Sequence, residues 1–80
     1  MKKVMLAEDE ELILQGIRCI IDWEEISMEV VSMAHNGYEA LELFEKEPVD
    51  ILVTDVEMPK MDGLELIREI RKISPKTRCI

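Results

Sequence analysis

Aromatic residues are scarce in this sequence of 80 residues, which contains one Trp, one Tyr and one Phe. Because hydrophobic residues still make up 48% of the chain, the core is predicted to be aliphatic. Glycine and proline occur only three times each, and no low-complexity segment or interdomain linker is visible. A chain of this size buries only about 60% of the surface that its unfolded form exposes. These features favour one small globular domain.

Cysteine is also rare, and its spacing excludes the common cysteine chemistries. Cys19 and Cys79 are far apart and form no Cys-x-x-Cys motif, so neither a disulfide nor a metal site is indicated. We expect both to be buried as small hydrophobic residues.

Long hydrophobic segments are absent, since no apolar run reaches the roughly 18 residues that a membrane span requires. The first acidic residue of the chain, Glu8, comes too early for residues 1–8 to begin a secretion signal. We therefore expect a cytoplasmic protein without a membrane partner.

Basic residues are the minority charge. Ten Lys and Arg residues stand against 18 Asp and Glu residues, which gives a formal net charge of -8 at pH 7. Such a chain repels phosphate backbones and is not expected to bind nucleic acid directly.

Apolar patterning predicts that strands and helices alternate. Short apolar runs at Val4–Ala7, Met28–Ala34 and Val49–Thr54 are typical of strands, and the second, less apolar run is expected at a sheet edge. Helical spacing follows each run, over residues 12–21, 36–46 and 62–73, and residues 77–80 predict the start of a fourth strand. This order is typical of a parallel α/β sheet built from right-handed crossovers.

Capping signals mark two of the predicted helices. Asn36 and Asp62 are each followed three residues later by a glutamate, which is the spacing of a capping box. The first helix is predicted to be amphipathic through Leu12, Ile13, Gly16, Ile17, Ile20 and Ile21. Trp23, in the connector that follows, is expected to lie over the end of this helix.

Acidic residues follow two of the predicted strands. Glu8 and Asp9 come directly after the first strand, and Asp55 ends the third. If these strands are neighbours in a parallel sheet, their acids converge at one edge, where clustered carboxylates repel one another unless a cation binds. Oxygen ligands of this kind suit Mg²⁺ better than Zn²⁺ or Ca²⁺. The spacing alone leaves open an acidic rim that binds nothing specific.

Three motifs resemble the receiver domain of bacterial two-component response regulators. They are Leu6–Glu10, Asn36–Leu41 and Asp50–Gly63, and they keep the order and spacing of that family across essentially the whole chain. The resemblance implies a flavodoxin-like, doubly wound parallel sheet with strand order 2-1-3-4-5. Residues 1–80 then correspond to the amino-terminal part of a receiver, with three βα units and the start of strand 4.

The resemblance also implies roles for individual residues. Asp55 corresponds to the phosphoacceptor that takes a phosphoryl group from a sensor histidine kinase in a Mg²⁺-dependent step. Asp9 corresponds to a direct Mg²⁺ ligand, Glu8 to an acid that acts through water, and Glu57 to the residue whose backbone carbonyl completes the ligand shell. Such a domain is a regulatory phosphoacceptor rather than an enzyme.

The connector Ile21–Glu24 resembles that of receivers that precede an AraC-type helix-turn-helix output domain, which implies a transcriptional output in a longer protein. In complete receivers of this family, strand 4 ends in a Ser or Thr and strand 5 ends in a Lys. Neither residue has a counterpart in this sequence, so we expect a chain truncated before the end of strand 4. The third strand would then be an exposed sheet edge, which favours a homodimer or a strand swap.

Two other functions remain open. A receiver-like interaction module that is not phosphorylated would have the same fold. A phosphatase of the haloacid dehalogenase type shares the outline Asp55-Val56-Glu57, but it usually has Asp at the second position and a further acidic pair downstream. His35, the single histidine, is expected to be a surface turn residue that no acid orients.

Overall fold

The computed structural model describes all 80 residues as four strands and three α-helices in alternating order. The strands are β1 (Lys2–Ala7), β2 (Met28–Ala34), β3 (Ile51–Thr54) and β4 (Arg78–Cys79). The helices are α1 (Glu11–Ile20), α2 (Gly37–Lys46) and α3 (Gly63–Ile73), and none is long and apolar enough to cross a membrane.

All strand pairings are parallel, and the strand order is β2-β1-β3-β4. The predicted doubly wound α/β sheet is therefore confirmed, with β1 and β3 adjacent and β2 at an edge. One irregularity interrupts the β1–β2 ladder, where Val4 pairs with Val30 but Met5 pairs with Ser32. Val31 is left as an extra residue, as in a β-bulge.

Apolar side chains pack on both faces of the sheet. On one face, α2 and α3 contribute Phe44, Leu66 and Ile70 to a core that includes Met5 and Leu52. On the other face, α1 packs alone through Leu14 onto Val4, Leu6 and Ile51. Except for Phe44, the largest fully buried side chains are aliphatic, as predicted.

Helix α1 differs from its predicted apolar pattern. Leu14 is fully buried, whereas Leu12 and Ile20 are 89% and 84% exposed. Residues two positions apart lie on nearly opposite sides of a helix with about 3.6 residues per turn, so Leu12 points away when Leu14 faces the sheet. The predicted position of Trp23 over the end of α1 is confirmed, because its Nε1–H donates to the carbonyl oxygen of Arg18 at 3.1 Å.

The two cysteines divide between surface and interior. Cys19 is exposed, so its predicted burial is wrong, because it lies on the solvent side of α1, between exposed neighbours. Cys79 is half-buried on β4, and burial raises the pKa of its thiol.

Strand β4 corrects the prediction that the third strand is an exposed edge. Arg78 and Cys79 pair with β3, and the backbone N–H of Thr54 donates to the carbonyl oxygen of Ile80 at 3.0 Å. The buried Thr77 Oγ1 donates to the carbonyl oxygen of Val49 at 2.8 Å just before β4 begins. β3 is thus an interior strand, and the short β4 forms the edge.

Both predicted helix caps are present. The backbone N–H of Glu39 donates to Asn36 Oδ1 at 2.8 Å, and that of Glu65 donates to Asp62 Oδ1 at 2.9 Å. Each bond satisfies an amide that the first turn of a helix leaves without an intrahelical partner. The caps therefore fix where α2 and α3 begin.

Candidate functional site

The sheet brings the two acidic segments together at the carboxyl edge of its strands. Ala7 pairs with Thr54, so Glu8 and Asp55 leave the adjacent strands β1 and β3 at the same level. Backbone bonds continue past the strand ends, because the Asp55 N–H donates to the Ala7 carbonyl and the Glu8 N–H to the Ala34 carbonyl, both at 3.0 Å. The backbone that carries both acids is therefore held by the sheet.

Glu8, Asp9 and Asp55 form one cluster of carboxylates. Each offers an oxygen atom, and these three atoms all lie within 4.8 Å of one another. Glu8 is buried at 7% exposure, whereas Asp9 is exposed. Three of the four predicted site residues thus meet as expected, and their oxygen atoms are ligands that hard divalent cations prefer.

The cluster and its burial disfavour the charged form of Glu8. Burial raises the pKa of its carboxyl, and the carboxylates of Asp55 and Asp9 raise that pKa further. The backbone N–H of Glu10 donates to Glu8 Oε1 at 3.2 Å and acts in the opposite direction. A bound cation would favour the charged form of Glu8, so the cluster is suited to cation binding.

Glu57, the fourth predicted residue, lies in the loop between β3 and α3. Its side chain is exposed and does not belong to the carboxylate cluster. The role predicted for it concerns its backbone carbonyl and stays a prediction.

Two glycines, each directly after one of the predicted helix caps, hold this loop in place. The Gly63 N–H donates to the Val56 carbonyl at 2.8 Å, and the Gly37 N–H donates to the Met61 carbonyl at 3.1 Å. A Cβ atom added at Gly37 would lie 2.3 Å from the Met61 carbonyl oxygen. Only glycine fits so close to a neighbouring backbone. The glycines in Asn36-Gly37 and Asp62-Gly63 therefore reflect close packing as well as turn geometry.

His35 contradicts the prediction that no acid orients it. Its Nδ1 lies 3.0 Å from Glu39 Oε1, and its Nε2 lies 2.5 Å from Glu11 Oε2. Hydrogen bonds to these carboxylates, Glu11 first and Glu39 second, raise the pKa of the imidazole. Glu39 is only four residues from His35, so this contact could have been suspected from the sequence. The contact with Glu11 spans 24 residues and could not.

A small open cleft of about 150 Å³ adjoins the cluster. It is bordered by Glu8, Thr54 and Asp55 on its polar side and by apolar residues of β1, α1 and β3. Asp55 therefore lies at the border of an open cleft.

Comparison with known proteins identifies relatives across the whole chain. The family model of the response regulator receiver domain matches residues 4–80. The transcriptional regulatory protein YesN of Bacillus subtilis is 44% identical over 80 residues, which is 100% of this chain and 22% of that protein. The transcriptional regulatory protein HptR of Staphylococcus aureus is 33% identical over 70 residues, covering 88% of this chain and 28% of that protein.

Solved structures agree with these relatives. The receiver domain of AraT, a response regulator from Geobacillus stearothermophilus, superposes with a TM-score of 0.93 at 47% identity, covering 98% of this chain and 60% of that one. The two component transcriptional regulator AraC from Clostridium phytofermentans gives a TM-score of 0.93 at 33% identity, covering 99% and 61%.

This chain therefore spans less than a third of the length of these curated relatives and about three fifths of the solved ones. The family match includes both acidic segments and residues of all four strands. On this evidence of sequence and fold, the chain belongs to the response regulator receiver domain family.

Proposed function

We propose that this protein is a phosphoacceptor signalling domain that receives a phosphoryl group from a sensor histidine kinase on Asp55. The observation that supports this most directly is the convergence of Glu8, Asp9 and Asp55 at the carboxyl edge of β1 and β3. Ligands of open α/β sheets bind at this edge. Membership of the receiver family agrees with the same role.

Asp55 supplies the nucleophile in this proposal. One carboxylate oxygen attacks the phosphorus of a phosphohistidine, a P–O bond forms, the P–N bond breaks, and the leaving imidazole keeps the electron pair. Asp55 borders an open cleft together with Glu8 and Thr54, which is consistent with an approach of the donor from that side. The domain acts as a regulatory acceptor that assists its own modification and does not turn over a substrate.

The donor set fits Mg²⁺ as the cofactor. Asp9 and Asp55 would hold the ion directly, Glu8 through water, and Glu57 through its backbone carbonyl. When bound, the ion would offset the charge that develops on the transferred group. Burial raises the pKa of Glu8, and the nearby carboxylates of Asp55 and Asp9 raise it further, so a bound cation would offset the repulsion among these groups.

The proposed partners are a phosphodonor and an output domain. A sensor histidine kinase is the proposed donor to this cytoplasmic domain, and an AraC-type helix-turn-helix domain in a longer protein is the proposed output. Two relatives support a transcriptional output, since YesN and HptR are described as transcriptional regulatory proteins. The net charge of -8 argues against direct nucleic-acid binding by the receiver itself.

Beryllofluoride, a phosphoryl mimic, tests the acceptor assignment. With Mg²⁺ present, fluorine NMR should show bound beryllofluoride for the wild type and for Asp22→Asn, and none for Asp55→Asn. Asp22→Asn is a matched control because Asn retains the side-chain oxygen that accepts the Glu25 N–H at 3.1 Å.

Three outcomes would contradict the proposal. Equal binding by Asp55→Asn would exclude Asp55 as the acceptor. A folded full-length protein that binds no beryllofluoride would favour the unphosphorylated interaction module. Turnover of a generic phosphate ester would favour a phosphatase of the haloacid dehalogenase type.

A further inference from the structure

His35 lies between the amino ends of two helices that belong to different βα units. It follows β2 directly, and its ring reaches Glu11, the first residue of α1, and Glu39, in the first turn of α2. Glu39 Oε1 also accepts the backbone N–H of His35 at 3.1 Å. The imidazole therefore bridges α1 and α2 next to the carboxyl edge of the sheet.

Both carboxylates are themselves held in place. Glu11 Oε1 accepts a hydrogen bond from Gln15 Nε2 at 3.0 Å, which leaves Oε2 for the histidine. Glu39 is fixed through its backbone N–H, which caps α2 on Asn36. Glu11 from α1 and Glu39 from α2 are the charged groups that face the ring, and neither forms an ion pair with a basic residue other than His35.

The number of hydrogen bonds that the imidazole can donate to the two carboxylates depends on the charge of the ring. An ionised carboxylate only accepts hydrogen bonds, and a neutral imidazole has a single N–H donor. Both ring nitrogens of His35 can donate only when the ring is protonated. Loss of that proton removes one of the two bonds and leaves a ring nitrogen lone pair facing a carboxylate.

We propose that His35 is a positioning residue which, in its protonated form, fastens the amino end of α1 to the amino end of α2. The short β1–α1 loop, which carries Asp9, leads directly into Glu11 at the start of α1. The bridge thus connects the ring's protonation state to the segment that supplies one wall of the carboxylate cluster. The consequence for cation binding depends on the proposed function, but the bridge itself does not.

The raised pKa of the imidazole agrees with this geometry, because both glutamates favour the charged ring. An unperturbed histidine has a pKa of about 6.5, so an upward shift moves the loss of the bridging proton to a pH above that value.

NMR of the metal-free protein tests the inference. His35 is the only histidine, so its ring resonances need no separate assignment, and its pKa can be followed directly. We expect a midpoint above about 6.5, and a lower midpoint in both Glu11→Gln and Glu39→Gln. Glu45→Gln removes the same charge from an α2 residue that does not contact His35, and it should leave the midpoint unchanged.

The backbone amides of residues 9–11 distinguish positioning from a surface ion pair. In the wild type they should shift with the same midpoint as the ring, and in His35→Gln this pH-dependent shift should disappear. Any of three results would overturn the inference: the wild-type midpoint could lie at or below about 6.5, or Glu11→Gln and Glu39→Gln could have the same midpoint as Glu45→Gln. The third is that the amide shifts of residues 9–11 do not follow the titration of the ring. No metal or phosphodonor is added, so failure of Asp55 to be phosphorylated would not affect these results.

Discussion

Gly63 lies so close to Asp55 that a Cβ atom added to the glycine would be 2.2 Å from the carbonyl oxygen of the aspartate. The first residue of α3 thus packs directly against the backbone of the proposed phosphoacceptor. The same glycine donates its N–H to the carbonyl of Val56 at 2.8 Å. The start of α3 and the position of Asp55 are therefore parts of one packing arrangement.

Replacement of Gly63 by alanine should disturb both parts. The new methyl group has to push away the Asp55 backbone or the first turn of α3, and overpacking of this kind typically costs about 1–3 kcal/mol. We expect a lower free energy of unfolding in chemical denaturation and weaker Mg²⁺ binding by the folded variant.

Gly16→Ala is the matched control for this substitution. A Cβ atom at Gly16 meets nothing within 4 Å, and alanine is favoured over glycine inside a helix by roughly 0.5–1 kcal/mol. This variant should be stabilised with unchanged Mg²⁺ affinity. A Gly63→Ala protein as stable as Gly16→Ala would show that the close contact does not exist in solution.

Lys60 carries backbone strain in the loop that follows Asp55. Its φ angle of 69° lies in the left-handed region, which costs a residue with a side chain roughly 1–2 kcal/mol. Lys60→Gly should therefore be more stable than Lys60→Ala, because only glycine adopts this conformation freely, although glycine also gains entropy in the unfolded chain. Thermal unfolding of the two variants at one pH measures the difference, and a more stable alanine variant would contradict the strained conformation.

Local patterns explain how much of this structure was predictable. The alternation of elements, the caps at Asn36 and Asp62, and the convergence of Glu8 with Asp55 follow from residue spacing and from strands that end at one edge. The pairing of His35 with Glu11 and the burial of Leu14 in place of Leu12 did not follow. Both depend on how α1 rotates on the sheet, and neither local spacing nor apolar periodicity determines that angle.

Exposed apolar side chains predict self-association of this chain. Leu12, Ile20 and Ile80 are each more than 70% exposed, and the backbone of β4 forms an unprotected sheet edge. Such surfaces recruit partners, which agrees with the expected homodimer or strand swap. Sedimentation of the 80-residue chain should show a mass above that of the monomer, or the chain should bind a hydrophobic dye. A monomer with sharp amide resonances and no dye binding would contradict this prediction.

Glu8 should lower the stability of the metal-free protein at neutral pH. Its folded-state pKa is raised above the unfolded value, so the folded protein binds this proton more tightly. Stability from this group consequently falls as pH rises from the unfolded pKa through the folded pKa. Glu8→Gln, which removes the charge and keeps a side-chain oxygen for the Glu10 N–H, should unfold at a higher temperature than wild type above that range and show no advantage below it.

Mg²⁺ should reverse the order of these two proteins. A ligand that binds only the folded state stabilises it in proportion to the logarithm of its concentration over Kd. The wild type should gain stability steadily as Mg²⁺ is added, whereas Glu8→Gln should gain much less, because it has lost one of the three clustered carboxylates. Glu45→Gln, on the exposed surface of α2, should respond like the wild type. Equal Mg²⁺ responses from all three proteins would mean that the stabilising ion binds elsewhere, and the metal assignment of Glu8 would then be wrong.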